Sequence, residues 1–173
     1  MGEYMFKSKK IMWMAGVALL IILCIYSYYP RRIHNEYNGL MYRIGDRNYT
    51  ENIKIMINGY FSKGFLKGDR FQGTITIGEK LLSKIDMRFD SINRGHLFSY
   101  EEGDYAGYGT MFISKRLEKL TIGVYDELND KGEKTWTSRD GLMISAPALS
   151  REEAVQISNS LMKNMLIHEA QIH

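Results

Sequence analysis

Hydrophobic positions along the chain fall into three regimes. From Ile11 to Tyr29 the run IMWMAGVALLIILCIYSYY contains no charged residue and has no polar face. From Ile53 to Ile144 apolar residues alternate with polar ones, and from Ala154 to Leu166 they return every three to four positions. These periods predict, in order, an all-apolar helix, a series of half-buried strands and an amphipathic helix.

The first run predicts a transmembrane helix. About 20 residues rising about 1.5 Å each cross a hydrocarbon core of about 30 Å. Trp13 stands near one end and Tyr26, Tyr28 and Tyr29 near the other, where aromatic rings favour the membrane interfaces; Lys9 and Lys10 flank one side, Arg31 and Arg32 the other, and Pro30 ends the helix. A cleaved signal peptide would require small residues after the apolar run, and none stand there. A lipidated cysteine would require a small residue before Cys24, where the chain has Leu23. The expectation is an uncleaved signal anchor: a basic tail over 1–10, a membrane span over 11–29, a polar juxtamembrane spacer over 30–40 and one β-rich domain over 41–173.

In the domain, Ile53, Ile55 and Ile57 form one alternating set and Phe71, Gly73, Ile75 and Ile77 a second, separated by a Gly- and Lys-bearing connection, which predicts a hairpin. Ile85, Met87 and Phe89 follow, then His96 to Tyr100, Gly107 to Ser114, and Leu120, Ile122 and Val124. Asn129 to Gly132 has hairpin-turn chemistry ahead of Thr135 to Thr137, and Leu142 with Ile144 closes the series. About eight strands at this spacing imply an antiparallel meander, as a curved sheet, barrel or sandwich. Ser150 and Glu153 form a capping box that opens a helix over about 150–169, whose stripe of Ala154, Ile157, Leu161 and Met165 is expected to pack on the sheet. The fold class is therefore α+β.

Charge acquires meaning once it is divided. Of 23 basic and 20 acidic residues, five basic residues and Glu3 lie in residues 1–32, leaving 18 against 19 in the domain. The basicity belongs to the membrane flanks, where it suits anionic head groups, and the folded part lacks the basic stripe of a nucleic-acid binder. Lys7, Lys9 and Lys10 precede the span, and Arg31, Arg32, Arg43 and Arg47 follow it. The N-terminal lysines form the n-region of a signal anchor, which places the tail inside and the domain on the extracytoplasmic side.

Candidate chemistry is sparse. His168-Glu169 with His173 lacks the four-residue spacing of a zinc helix, since five residues turn the second imidazole by about 140°. Glu127 to Gly132 carries Lys131 where a calcium loop needs oxygen, and reads as a turn. Asn48-Tyr49-Thr50 fits a glycosylation acceptor. The stretch holding Tyr100, Glu101, Glu102, Asp104, Tyr105 and Tyr108 is the one candidate binding loop, its tyrosines suited to stacking and its carboxylates to a cation; the competing reading, which its glycines favour, is a hairpin connection whose tyrosines cover the sheet edge. Glu101 and Glu102 are sequence neighbours that point to opposite faces of a strand, so they do not form a catalytic pair. No nucleophile or phosphate-loop motif is present, and neither enzymatic activity nor a cofactor or metal site is expected.

Two functions remain. One is a cell-envelope protein that holds a non-enzymatic interaction domain at the membrane surface, its partners being the lipid bilayer and another membrane or envelope protein. The alternative is a membrane-tethered barrel that takes a small apolar ligand, which needs an interior cavity of several hundred Å³.

Overall fold

The computed structural model describes residues 2–64, 68–101, 103–128, 134–166 and 172, without the side chains of 2–11, 27, 101, 127 and 128. Helix α1 (Gly2–Tyr28) leads into β1 (Arg31–Arg43), β2 (Thr50–Ser62), β3 (Arg70–Ile77), β4 (Lys80–Arg88), β5 (Arg94–Glu101), β6 (Asp104–Ile113), β7 (Leu120–Val124), β8 (Glu127–Leu128), β9 (Lys134–Thr135), β10 (Leu142–Ala146) and α2 (Arg151–Met162). Eight strands make one antiparallel sheet in the order β4-β3-β2-β1-β10-β7-β6-β5, and β8 pairs with β9 apart from it.

The sheet curls into a nearly closed barrel because its end strands, β4 and β5, come together. No ladder joins them among the described residues. Ser83 Oγ donates to the carbonyl of Tyr100 at 3.3 Å, and Asp90 N donates to Arg94 O at 2.9 Å below the seam. Gly95 lets β5 approach closely, since a Cβ there would meet Met87 Cγ at 2.6 Å. Close approach between β2 and β3 uses a glycine pair: Gly59 faces Gly73 across the two strands, and a Cβ on Gly59 would stand 2.2 Å from Gln72 O.

Two apolar cores result. Ile55, Ile75, Leu82, Leu97 and Ile122 fill the barrel, while Tyr42, Phe112, Met143, Ala154 and Met162 lie between its outer face and α2. Strands β7 and β10, covered on both faces, are buried almost continuously, whereas β4 alternates, with its outer face in water. Helix α2 starts as its sequence predicts: Ser150 Oγ accepts from Glu153 N at 3.3 Å. The Glu153 carboxylate accepts from Leu149 N at 2.8 Å, one residue before the cap.

Two expectations change. The stretch expected as a spacer forms strand β1, paired with β2 from Arg31 to Tyr42. Its inward positions are Ile33, Asn35, Tyr37 and Gly39, and the Asn and Gly among them hide the period-two signal. The strands do not run as a simple meander, because β10 inserts between β1 and β7 and joins two meanders into one wall. Among the described residues, no helix is long and apolar enough to cross a membrane. Helix α1 as a whole has 27 residues. Every described side chain from Met12 to Tyr26 is exposed, so α1 is not a core helix of the domain.

Candidate functional site

The predicted binding loop is the β5–β6 hairpin. Tyr100 and Tyr105 face each other across it, their rings edge to face at 5.3 Å between centroids. Lys84 Nζ lies 3.9 Å from the centroid of Tyr100. Lys84 reaches it from a left-handed backbone conformation (φ 51°) at an irregularity of β4, next to the shift in register between β3 and β4. The ammonium thus bridges the barrel seam by a cation–π contact. Phe98 and Tyr105 are exposed beside it.

The hairpin does not gather all its predicted members. A bulge opposite Leu97 and Phe98 changes the register around Tyr108, which packs against the barrel interior. Burial pushes the Tyr108 phenol up to about 12. Asp104 accepts a hydrogen bond from Tyr105 N at 2.7 Å, a turn contact. The Glu101 side chain and all of Glu102 lie outside the described residues, as do Asn129 to Glu133, His168, Glu169 and His173. Tyr100 and Tyr105 thus share one outward patch, and Tyr108, partly buried, packs against the core.

A second polar constellation sits on the outer face of β5–β7. Thr110 Oγ1 and the Tyr125 hydroxyl are 2.7 Å apart, and His96 Nδ1 is 3.0 Å from Tyr125 and 3.3 Å from Thr110. They border a pocket of about 160 Å³ shared with Phe112, Trp136 and Met165. Trp136 lies over Gly123, where a Cβ would meet its ring at 3.2 Å, and its buried indole N–H has no described partner. The chain order could not announce this site, because its residues come from three strands and two more distant segments.

The Tyr42, Thr121, Ser145 and Ser158 hydroxyls form a buried cluster between β1, β7, β10 and α2, with neighbours at 2.7 to 2.9 Å. Burial raises the Tyr42 pKa against the lowering effect of its serine partners. The cluster contains no imidazole or carboxylate, and its hydroxyls satisfy one another. It fixes α2 to the sheet and offers no base for nucleophilic chemistry.

At the residues expected to flank a membrane span, Trp13 is 77% exposed, and Tyr26, Tyr28 and Tyr29 are exposed as well. The Arg31 guanidinium stands 5.5 Å from the centroid of the Tyr26 ring, while the side chains of Lys9 and Lys10 lie outside the described set. Inside the barrel, the space between Ile57, Phe71, Met87 and Met111 amounts to about 20 Å³, room for about one water. An open groove of about 880 Å³ lies between β1 and the start of α2, lined by Tyr37, Asn38, Pro147, Leu149 and Glu153.

No protein family, curated protein or solved structure matches the chain.

Proposed function

We propose that the chain is a single-pass membrane-anchored protein that presents a non-enzymatic β-rich interaction domain at the membrane surface, on the extracytoplasmic side. The observation that carries this reading is the state of α1. Met12, Trp13, Leu20, Ile21, Ile22 and Ile25 all project from one helix without cover from the domain. An apolar rod of this size in water is strongly unfavourable, at about 25 cal/mol per Å², and the uncharged run through Tyr29 suits lipid. Arg31 and Arg32 follow at once, which seats the domain directly on the head groups.

Surface rather than cavity supports an interaction role. Among the described residues the barrel interior is packed with side chains, and the space of about 20 Å³ there gives the apolar-ligand reading no support. Exposed apolar groups stand at Leu81, Phe98 and Tyr105 around the seam and at Leu149 beside the groove. Topology mapping tests the orientation: a reporter fused after His173 that is active only outside the cytoplasm is expected to be active. A reporter active only inside would place the domain in the cytoplasm and remove this reading.

A further inference from the structure

Strand β1 is hydrogen-bonded on both edges only over its second half. Its ladder with β2 runs from Arg31 to Tyr42, while its ladder with β10 covers only Leu40 to Arg43. One further bond on the β10 side, from Ala148 N to Asn38 O at 3.1 Å, precedes an open stretch. In an antiparallel strand, the N–H and C=O of one residue point to the same edge, and alternate residues share that edge. Asn38 therefore sets the parity. Glu36, His34 and Arg32 turn their backbone groups to the open edge, and no described residue pairs with them there.

An open edge is a template for another strand, and charges on it usually prevent that pairing. Here the charges have opposite signs and stand symmetrically, Arg32 two residues before His34 and Glu36 two residues after it, all three exposed on the outer face. Glu36 also holds Lys54 Nζ at 2.8 Å, and His34 bonds Asn58, so both outward side chains are already oriented from β2. The pattern is self-complementary.

We propose that β1 pairs antiparallel with β1 of a second copy of this chain, about a two-fold axis at His34. Arg32 of each copy then faces Glu36 of the other, and each facing pair exchanges two backbone hydrogen bonds. The same register carries Pro30 and Tyr29 of the second copy past Asn38 into the groove beside Leu149, which is 80% exposed and gains an apolar neighbour. A two-fold axis is the commonest symmetry of homo-oligomers, and this interface is isologous as that symmetry requires. With the axis along the membrane normal, both anchors enter one bilayer and the paired strands lie across the head groups. The proposal rests on the interaction reading of the domain and names a second copy as the partner.

The test uses the full chain in membranes with Cys24→Ser as background. At His34→Cys the two Cα atoms lie about 5.5 Å apart in the proposed pair, within disulfide range, whereas at Asn58→Cys on β2 they lie about 14 Å apart, three strand spacings. A disulfide-linked dimer at 34 and none at 58 is expected. Arg32→Glu or Glu36→Arg alone is expected to lower the linked fraction about fivefold by setting like charges opposite each other, and the double exchange to restore it. Equal linking at 34 and 58, no linking at 34, or a loss that the double exchange does not restore would overturn the proposal. The fraction resisting alkaline carbonate, read from the same samples, reports the anchor separately from the pairing.

Discussion

The Tyr42 hydroxyl and Ser158 Oγ lie 2.7 Å apart in the buried layer between the barrel and α2. Ser158 is also 2.9 Å from Thr121 Oγ1 and 2.7 Å from Ser145 Oγ, so one helix residue meets hydroxyls from three strands. Removing the hub leaves three buried hydroxyls to find partners among themselves, whereas removing Tyr42's oxygen leaves the other three connected. Ser158→Ala is therefore expected to cost about 1–3 kcal/mol and Tyr42→Phe about 0.5–1.5 kcal/mol. Urea unfolding of the two variants checks the order, and Tyr42→Phe as the costlier change would contradict it.

Alkali tests the buried phenols. Burial raises the pKa of Tyr37, Tyr42 and Tyr108 from the ordinary value of 10, that of Tyr108 to about 12. Above pH 10 the unfolded chain releases phenolic protons that the folded chain keeps, so stability is full below pH 10 and falls as pH rises toward 12. In Tyr108→Phe the fall between about pH 9 and about pH 11 is expected to be shallower, measured by urea unfolding at both values. An unchanged slope would mean that Tyr108 is open to water.

The glycine pair of β2 and β3 tests the close approach of the two strands. A Cβ on Gly73 would stand 2.1 Å from Asn58 O, and one on Gly59 would stand 2.9 Å from Gly73 Cα. Both obstacles are backbone. Gly59→Ala and Gly73→Ala are each expected to destabilise by about 1–3 kcal/mol, and the pair to depart from additivity because the two sites share one clash. A neutral Gly73→Ala in thermal unfolding would show that the strands can move apart there.

Lys84 combines a strained backbone with a useful contact. Its left-handed φ of 51° costs a β-branched residue more than lysine, and glycine nothing, while its ammonium holds the Tyr100 ring. Lys84→Val is expected to lose about 1–3 kcal/mol. Lys84→Gly is expected to stay within about 0.5 kcal/mol of the parent, relief of strain offsetting the lost cation–π contact. Equal losses in both would assign the effect to the contact alone.

Strands whose outer faces meet water were readable in the chain, because one wet face and one dry face impose period two, as at Ile53, Ile55 and Ile57 or Ile85 and Met87. The capping box at Ser150 was equally readable, being local. Strand β1 was not: inward Asn35 and Gly39 mask its alternation, and Asn35 is tolerated inside because its side-chain N–H donates to the Tyr37 hydroxyl at 2.8 Å. The insertion of β10 beside β1 depends on contacts about a hundred residues apart, as from Arg43 to Leu142, which no local pattern encodes. At the candidate site, facing tyrosines on a hairpin were inferable from their symmetric placement around the turn. The inward position of Tyr108 was not, since it depends on a bulge, and the His96, Thr110 and Tyr125 constellation needs three strands in register.

The exposed apolar surface of α1 is the feature on which the account stands, and extraction of the full chain measures it most directly. Membranes carrying the protein are washed with alkaline carbonate, which strips peripheral proteins, and then with detergent. The chain is expected to stay in the carbonate pellet and to be released by detergent, and Leu20→Arg with Ile22→Arg to move it to the carbonate supernatant, since each arginine at mid-helix costs about 2.5–3.5 kcal/mol on insertion scales. Release of the unaltered chain by carbonate alone would contradict the anchor.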